Sequence, residues 1–221
     1  FSGYLGGLDP ARDELYVLGD LFNFWSGHRT SAYPPYREAI EALQSFAKAG
    51  GNTTLLQGNR EPFLGGRSGE ILGVTVAGDD CSFEAKGLSV GLVHGDTLCT
   101  FDTGYQRLRR ILRSAPFQTL VPALPLWVTV PVARWMERGS ASAKSVKTSG
   151  DMGIVDEAAL GLADARDWQV LIAGHVHIPE TRRLPGVTLV VLPPWNEPAD
   201  ALVEEEGVWR WGDGRPMEDL P

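Results

Sequence analysis

Short apolar runs closed by glycine alternate along this chain with stretches in which apolar residues return at helical spacing. Residues 14–18 read as a strand running into Gly19-Asp20, and Tyr36, Ala39, Ile40, Leu43, Phe46 and Ala47 then mark one face of a helix. Pro34 and Pro35 open that helix, and Gly50-Gly51 closes it. Residues 54–57 predict the next strand, which runs into Gly58-Asn59. A β pair turning at Lys86-Gly87 leads through residues 88–93 to His94-Gly95-Asp96. A helix is expected near residues 156–165, strands over residues 170–173 and 187–192, and a last hairpin where Trp209 and Trp211 alternate around Arg210. Strands alternating with helices place the chain in the α/β class, and no repeat, linker or low-complexity segment interrupts it.

Between the predicted elements, residues 114–133 carry no charge, a run long enough on length alone to span a bilayer. Pro116, Pro122, Pro125 and Pro131 each remove a backbone donor, so the run predicts short broken helices rather than one straight span. Those helices are expected to expose Phe117, Leu120, Val121, Leu124, Leu126, Trp127 and Val130. Their flanks are basic. Residues 103–150 hold Arg107, Arg109, Arg110, Arg113, Arg134, Arg138, Lys144 and Lys147 against the single acid Glu137, an excess of +7 in a chain whose net charge is -8. The basic stretch is either a solvated helix surface or a face that attracts an anionic substrate or membrane. Its apolar centre is either an interfacial element that sits on a membrane or covers a lipid, or a proline-broken core helix.

Composition narrows the rest. With 221 residues, 43% hydrophobic and 22% charged, the chain suits a single globular domain over residues 1–221, with residues 103–150 as a helical cap inserted into it. Cys81 and Cys99 are too few for a disulfide scaffold and suggest a reducing compartment. Nucleic-acid binding is disfavoured, because the chain outside the cap is acidic and aromatics do not interleave with the basic cluster. Residue 1 is Phe and no charged leader precedes an apolar segment, so the start reads as truncated or processed.

Four predicted strands end in a turn carrying a potential metal ligand: Asp20, Asn59, His94, and the pair His175 and His177. In an α/β sheet, ligands collect beyond the carboxyl ends of strands, so these residues can converge although widely separated in sequence. Glycine beside each turn suits sharp reversal and close backbone approach. The chain has four histidines, and three of them fall in these turns. Imidazoles at i and i+2 with a carboxylate, an amide and a third imidazole suit Mn²⁺ or Fe²⁺, with Zn²⁺ left open. Without thiolates, a closed structural zinc site is disfavoured.

The blocks Gly19-Asp20, Gly58-Asn59-Arg60-Glu61, His94-Gly95-Asp96 and Gly174-His175-Val176-His177 resemble the signature of the calcineurin-like metallophosphoesterases. More narrowly, Leu18-Gly19-Asp20-Leu21-Phe22, Gly58-Asn59-Arg60 and residues 94–100 with Asp102 and Gly104-Tyr105-Gln106 are similar to the UDP-2,3-diacylglucosamine pyrophosphatases of lipid A biosynthesis. Asn59-Arg60 is the most specific part of the resemblance, since the wider family usually has His after that Asn. Gln118-Thr119-Leu120 and Ala123-Leu124-Pro125-Leu126 are similar to the helical insert of the narrower family.

The resemblance implies a four-layer αββα sandwich with a helical cap and a dinuclear site holding two Mn²⁺, Fe²⁺ or Zn²⁺ remaining open. It implies that Asp20 bridges the metals, that Asn59, His94 and His175 complete one site, and that His177 serves the other. The other site would also use an upstream Asp-x-His, and residues 1–19 contain no His. Residues 2–9 look like the tail of the helix after that strand, which leaves the activity of this exact chain open while the full-length parent is expected to be an enzyme. The implied reaction attacks the phosphorus bearing uridine, giving UMP and 2,3-diacylglucosamine 1-phosphate, with Asp20, Asn59, Arg60, His94 and His175 as the catalytic set. Arg60 is expected to clamp a phosphate or sugar oxygen, or else to pair with Glu61 at the surface. Asn59, Arg60, His175, Asp102, Tyr105 and Lys147, with Lys144 as the nearby alternative, are the expected substrate contacts. Tyr105 also fits the apolar stripe of its own helix, and Asp96 either orients a metal-bound imidazole or caps a turn. The expected partners are the lipid substrate and the inner-membrane surface, with the protein peripheral to the cytoplasmic face. The competing readings are a metallophosphoesterase acting on a soluble nucleotide or phosphoester, and a non-enzymatic scaffold of the same fold.

Overall fold

The computed structural model describes residues 1–134, 153–196, 198–218 and 220. Its contacts divide into two units, one of Ser2–Gly78 with Phe101–Gly153, the other of Asp79–Thr100 with Ile154–Pro221. The α/β class expected from the sequence is the class observed in each.

The first unit begins with α1 (Ser2–Leu5), β1 (Glu14–Val17), α2 (Arg37–Lys48), β2 (Asn52–Leu56), α3 (Gly66–Leu72) and β3 (Thr75–Gly78). The strands form a parallel sheet in the order β1-β2-β3, with Glu14 opposite Asn52 and Thr54 opposite Thr75. Parallel neighbours need a crossover, and α2 and α3 supply the two crossovers. α2 buries Ile40, Leu43 and Phe46 along the stripe read from the sequence, but Pro34–Tyr36 forms a 3-10 turn, so the α-helix starts at Arg37. Its closing glycines have a packing reason, because a Cβ at Gly51 would lie 2.4 Å from the Phe46 ring.

The same unit continues through α4 (Thr103–Leu112), α5 (Ala115–Leu120) and α6 (Leu126–Arg134). No single described helix is long and apolar enough to cross a membrane. The proline-rich run instead breaks at the 3-10 turn Val121–Ala123 and bends by 116° into α6. Phe117, Leu120, Leu124 and Trp127 are exposed as expected, Trp127 to 79%. Val121, Leu126 and Val130 are half-buried instead. Leu126 and Val130 lie one turn apart on α6 and share its inner face with buried Thr129.

The second unit holds β4 (Asp80–Ala85), β5 (Leu88–Val93), α7 (Asp156–Arg166), β6 (Val170–Ala173), β7 (Glu180–Leu184) and β8 (Val187–Val191), then the hairpin β9 (Leu202–Glu205) and β10 (Val208–Trp211). Its five-stranded sheet runs β4-β5-β6-β8-β7, parallel through β5, β6 and β8 and antiparallel at both edges. All four residues of β6 are buried, as a strand covered on both faces requires. Ala159 and Ala163 of α7 pack into a cluster with Trp168, Leu171, Leu189 and Val191.

Gly91 on β5 makes room for this cluster, since a Cβ there would sit 2.1 Å from the Trp168 ring. Gly91→Ala is expected to destabilise the protein by about 1–3 kcal/mol through overpacking, read as a lower denaturation midpoint at unchanged slope. A midpoint equal to wild type would mean that Trp168 yields at no cost.

Candidate active site

Parallel pairing of β1 with β2 brings their carboxyl ends to one edge of the sheet, where the two chains leave as Gly19-Asp20 and Gly58-Asn59-Arg60. The approach is close enough that a Cβ on Gly58 would lie 2.1 Å from Asp20 Oδ1 and 2.4 Å from the Asp20 backbone nitrogen. Only glycine fits there. Asp20 itself adopts φ 56, after Gly19 at φ 86, and that left-handed turn swings its carboxylate across the end of β2.

Side chains and backbone of the 58–61 turn then fix this carboxylate. The Arg60 backbone N–H donates to Asp20 Oδ1 at 2.9 Å, and the Arg60 guanidinium lies 3.3 Å from Oδ2 while donating to Asn23 Oδ1 at 3.1 Å. The surface pair between Arg60 and Glu61 weighed from the sequence is therefore replaced by a pair with Asp20. Glu61 turns the other way and is fully buried. Its Oε2 accepts from the Asp20 N–H at 2.9 Å and its Oε1 from the Phe22 N–H at 2.7 Å. Burial pushes its carboxyl up to about 8, and the nearby Asp20 charge adds to the rise. Sequence reasoning missed this role; the one legible signal was an acidic residue directly after Asn59-Arg60.

In the second unit, β5 and β6 run parallel, and their ends carry His94 and Gly174-His175. The Gly174 N–H donates to the His94 carbonyl at 3.0 Å, which locks the two turns together. His94 Nε2 and His175 Nδ1 lie 3.2 Å apart with rings at 67°. At that separation the two nitrogens share a proton in the neutral pair or turn both lone pairs toward one cation. His94 and Asp96 are buried, His175 is half-buried and His177 is exposed.

Six non-glycine described residues have positive φ. Lys86 and Glu206 sit in hairpin turns before Gly87 and Gly207, and Asp167 is the left-handed cap of α7. The other three are Asp20, His175 and His177, all candidate ligands. Strain of this kind concentrates where a side chain must be aimed rather than merely packed.

Asp102 lies at the start of α4. Its Oδ1 accepts from the Tyr105 N–H at 3.1 Å and caps α4, with Tyr105 half-buried on that helix. Lys144 and Lys147 lie outside the described residues. Among the described residues no three His, Cys, Asp or Glu side chains are grouped to hold a metal ion. Within each unit the donor types are those a borderline divalent cation accepts: the adjacent imidazoles of His94 and His175 in the second, and the Asp20 carboxylate at the Gly58 turn in the first.

An amide cannot accept at both oxygen positions of Glu61. Glu61→Gln is therefore expected to lower stability by about 1–3 kcal/mol by leaving one buried N–H opposite another donor. A denaturant titration within about 0.5 kcal/mol of wild type would remove Glu61 from the support of the Asp20 turn.

No family model matches the chain. The UDP-2,3-diacylglucosamine hydrolase of Enterobacter sp. (strain 638) is 33% identical over 213 residues, covering 94% of this chain and 88% of the relative. The protein of the same name from Sodalis glossinidius (strain morsitans) is 35% identical over 200 residues, covering 90% and 83%. That of Escherichia coli (strain SMS-3-5 / SECEC) is 35% identical over 184 residues, covering 83% and 76%. Among solved structures, the phosphopantetheinyl hydrolase PptH of Mycobacterium tuberculosis overlaps 86% of this chain and 83% of its own, at 14% identity and a TM-score of 0.43. An overlap that loose says nothing of this chain's chemistry. Sequence identity of about a third, sustained over most of both chains, is a different matter, and it makes this protein a member of the UDP-2,3-diacylglucosamine hydrolase family.

Proposed function

We propose that this protein hydrolyses the pyrophosphate bond of UDP-2,3-diacylglucosamine, releasing UMP and 2,3-diacylglucosamine 1-phosphate on the way to lipid A. The observation that carries this reading is the 35% identity over 90% of the chain to a relative named UDP-2,3-diacylglucosamine hydrolase. The turns at the strand ends support it with the donor types that a phosphoryl-transfer site needs.

Two Mn²⁺ ions are the cofactor this reading favours, with Asp20, Asn59, His94, His175 and His177 as the residues that would hold them. Bound cations of this kind lower the pKa of a water and neutralise charge growing on the phosphoryl oxygens. The chain's own contribution is placement. The left-handed turn at Asp20, fixed from behind by Glu61, presents a carboxylate whose charge suits cations, while Asn59 and the imidazoles offer donors without adding charge. Arg60 is 41% exposed on its side chain, so its planar fork remains within reach of a phosphate oxygen. In this reading Tyr105, one turn beyond the Asp102 cap, would contact the sugar or nucleotide.

The protein, given UDP-2,3-diacylglucosamine and Mn²⁺, is expected to release UMP, and Asp20→Asn to release none. Arg60→Ala is expected to lower kcat by about 10²–10³-fold with metal content unchanged, because a clamp rather than a ligand is removed. UMP release that survives Asp20→Asn would sink the reading.

The cap supports attachment to a membrane. Exposed Leu108, Ile111, Phe117, Leu120, Leu124 and Trp127 lie on segments that also carry Arg107, Arg109, Arg110 and Arg113. Apolar and aromatic side chains with basic neighbours suit an anionic leaflet, and we place the protein peripherally on the cytoplasmic face of the inner membrane, where such a lipid substrate would reside. Changing Leu120 and Leu124 together to Ser is expected to weaken sedimentation with phosphatidylglycerol-containing vesicles by about tenfold. Equal sedimentation would count against an interfacial cap.

A further inference from the structure

One side chain ties the cap to the turn that carries Asn59 and Arg60. Gln118 is half-buried on α5, and its carboxamide nitrogen donates to the Pro62 carbonyl at 2.9 Å and to the Leu112 carbonyl at 2.8 Å. Leu112 is the last residue of α4, so its carbonyl has no partner further along that helix. Pro62 lies two residues beyond Arg60 and directly after Glu61, which holds the Asp20 turn. Both hydrogens of a single nitrogen thus join α4, α5 and residues 59–62.

Two further contacts of the cap land elsewhere. A Cβ at Gly27 would lie 2.5 Å from Pro122 Cβ, and Arg134 Nη2 donates to the Tyr33 hydroxyl at 3.0 Å. Both reach the loop before α2, whereas Gln118 reaches the Arg60 turn itself. Its neighbours Phe117 and Leu120 are exposed, so the same short helix carries an open apolar face and the tether to Pro62.

We propose that Gln118 is a positioning residue for the hydrolysis, holding the Asn59-Arg60 turn in place from the cap by its two hydrogen bonds to Pro62 and Leu112. The kinetic part of this inference rests on the hydrolysis proposed above, and the exchange part does not.

Gln118→Met keeps length and volume but removes both donors. Amide hydrogen exchange over residues 58–64 is expected to accelerate by about fivefold or more, while β2 exchanges as in wild type. That measurement needs no substrate, so it separates failure of this inference from failure of the proposed hydrolysis. With UDP-2,3-diacylglucosamine, kcat is expected to fall about tenfold with KM within about twofold. On an Arg60→Ala background the same change is expected to cost less than about twofold, because there is no guanidinium left to position. Thr119→Ala, which loses only a bond to the Ala115 carbonyl within α5, is expected to behave as wild type in both assays. Should Gln118→Met misfold, the isosteric Gln118→Glu is read by the same criteria. Unchanged exchange over residues 58–64, or losses in kcat that add to those of Arg60→Ala, overturn the proposal.

Discussion

A carboxylate held in a left-handed turn organises the first unit. Asp20 sits at φ 56 with its backbone nitrogen donating to a fully buried carboxyl and its own oxygens engaged by Arg60. Each partner constrains the others. Glycine at residue 58 lets the two strand ends touch, Glu61 satisfies the N–H groups that the reversal turns inward, and Arg60 balances the charge that the reversal presents. A buried acid beside another acid is costly unless it is hydrogen-bonded, and backbone donors of Asp20, Phe22 and Gly58 meet that cost here.

The second unit reaches a comparable arrangement by different means. Its central strands are parallel and apolar on both faces, so their carboxyl ends are the places where polar side chains leave the core. His94 and His175 emerge there as ring neighbours, and His175 and His177 take the left-handed conformation that bulky residues avoid. Backbone strain and ring proximity thus occur together at these turns.

The cap follows from proline placement. Pro122 and Pro125 end one helix and start another, and the resulting bend divides the apolar run between an outward face and an inward one. Pro122, Arg134 and Gln118 fasten the cap to the loops around residues 27, 33 and 62.

Much of this was legible in the residue order. Glycine-closed apolar runs located β1, β2, β5, β6 and β8 to within two residues at either end, and periodicity located α2 and α7, because these elements bury continuous stripes that local pattern records. β3 and β7 were not legible. β7 reads Glu180-Thr181-Arg182-Arg183-Leu184, an edge strand that exists because it pairs with β8 and because Arg182 bonds Glu180 and Asp156. The strand-end polar residues were visible as candidates, since turn glycines mark them. Which carboxylate Arg60 meets, where Glu61 points, which apolar cap residues face inward and that Gln118 bridges two helices were decided by tertiary contact. Those outcomes depend on residues about forty or more positions apart meeting in space, and no local pattern of polarity encodes a distance of that kind.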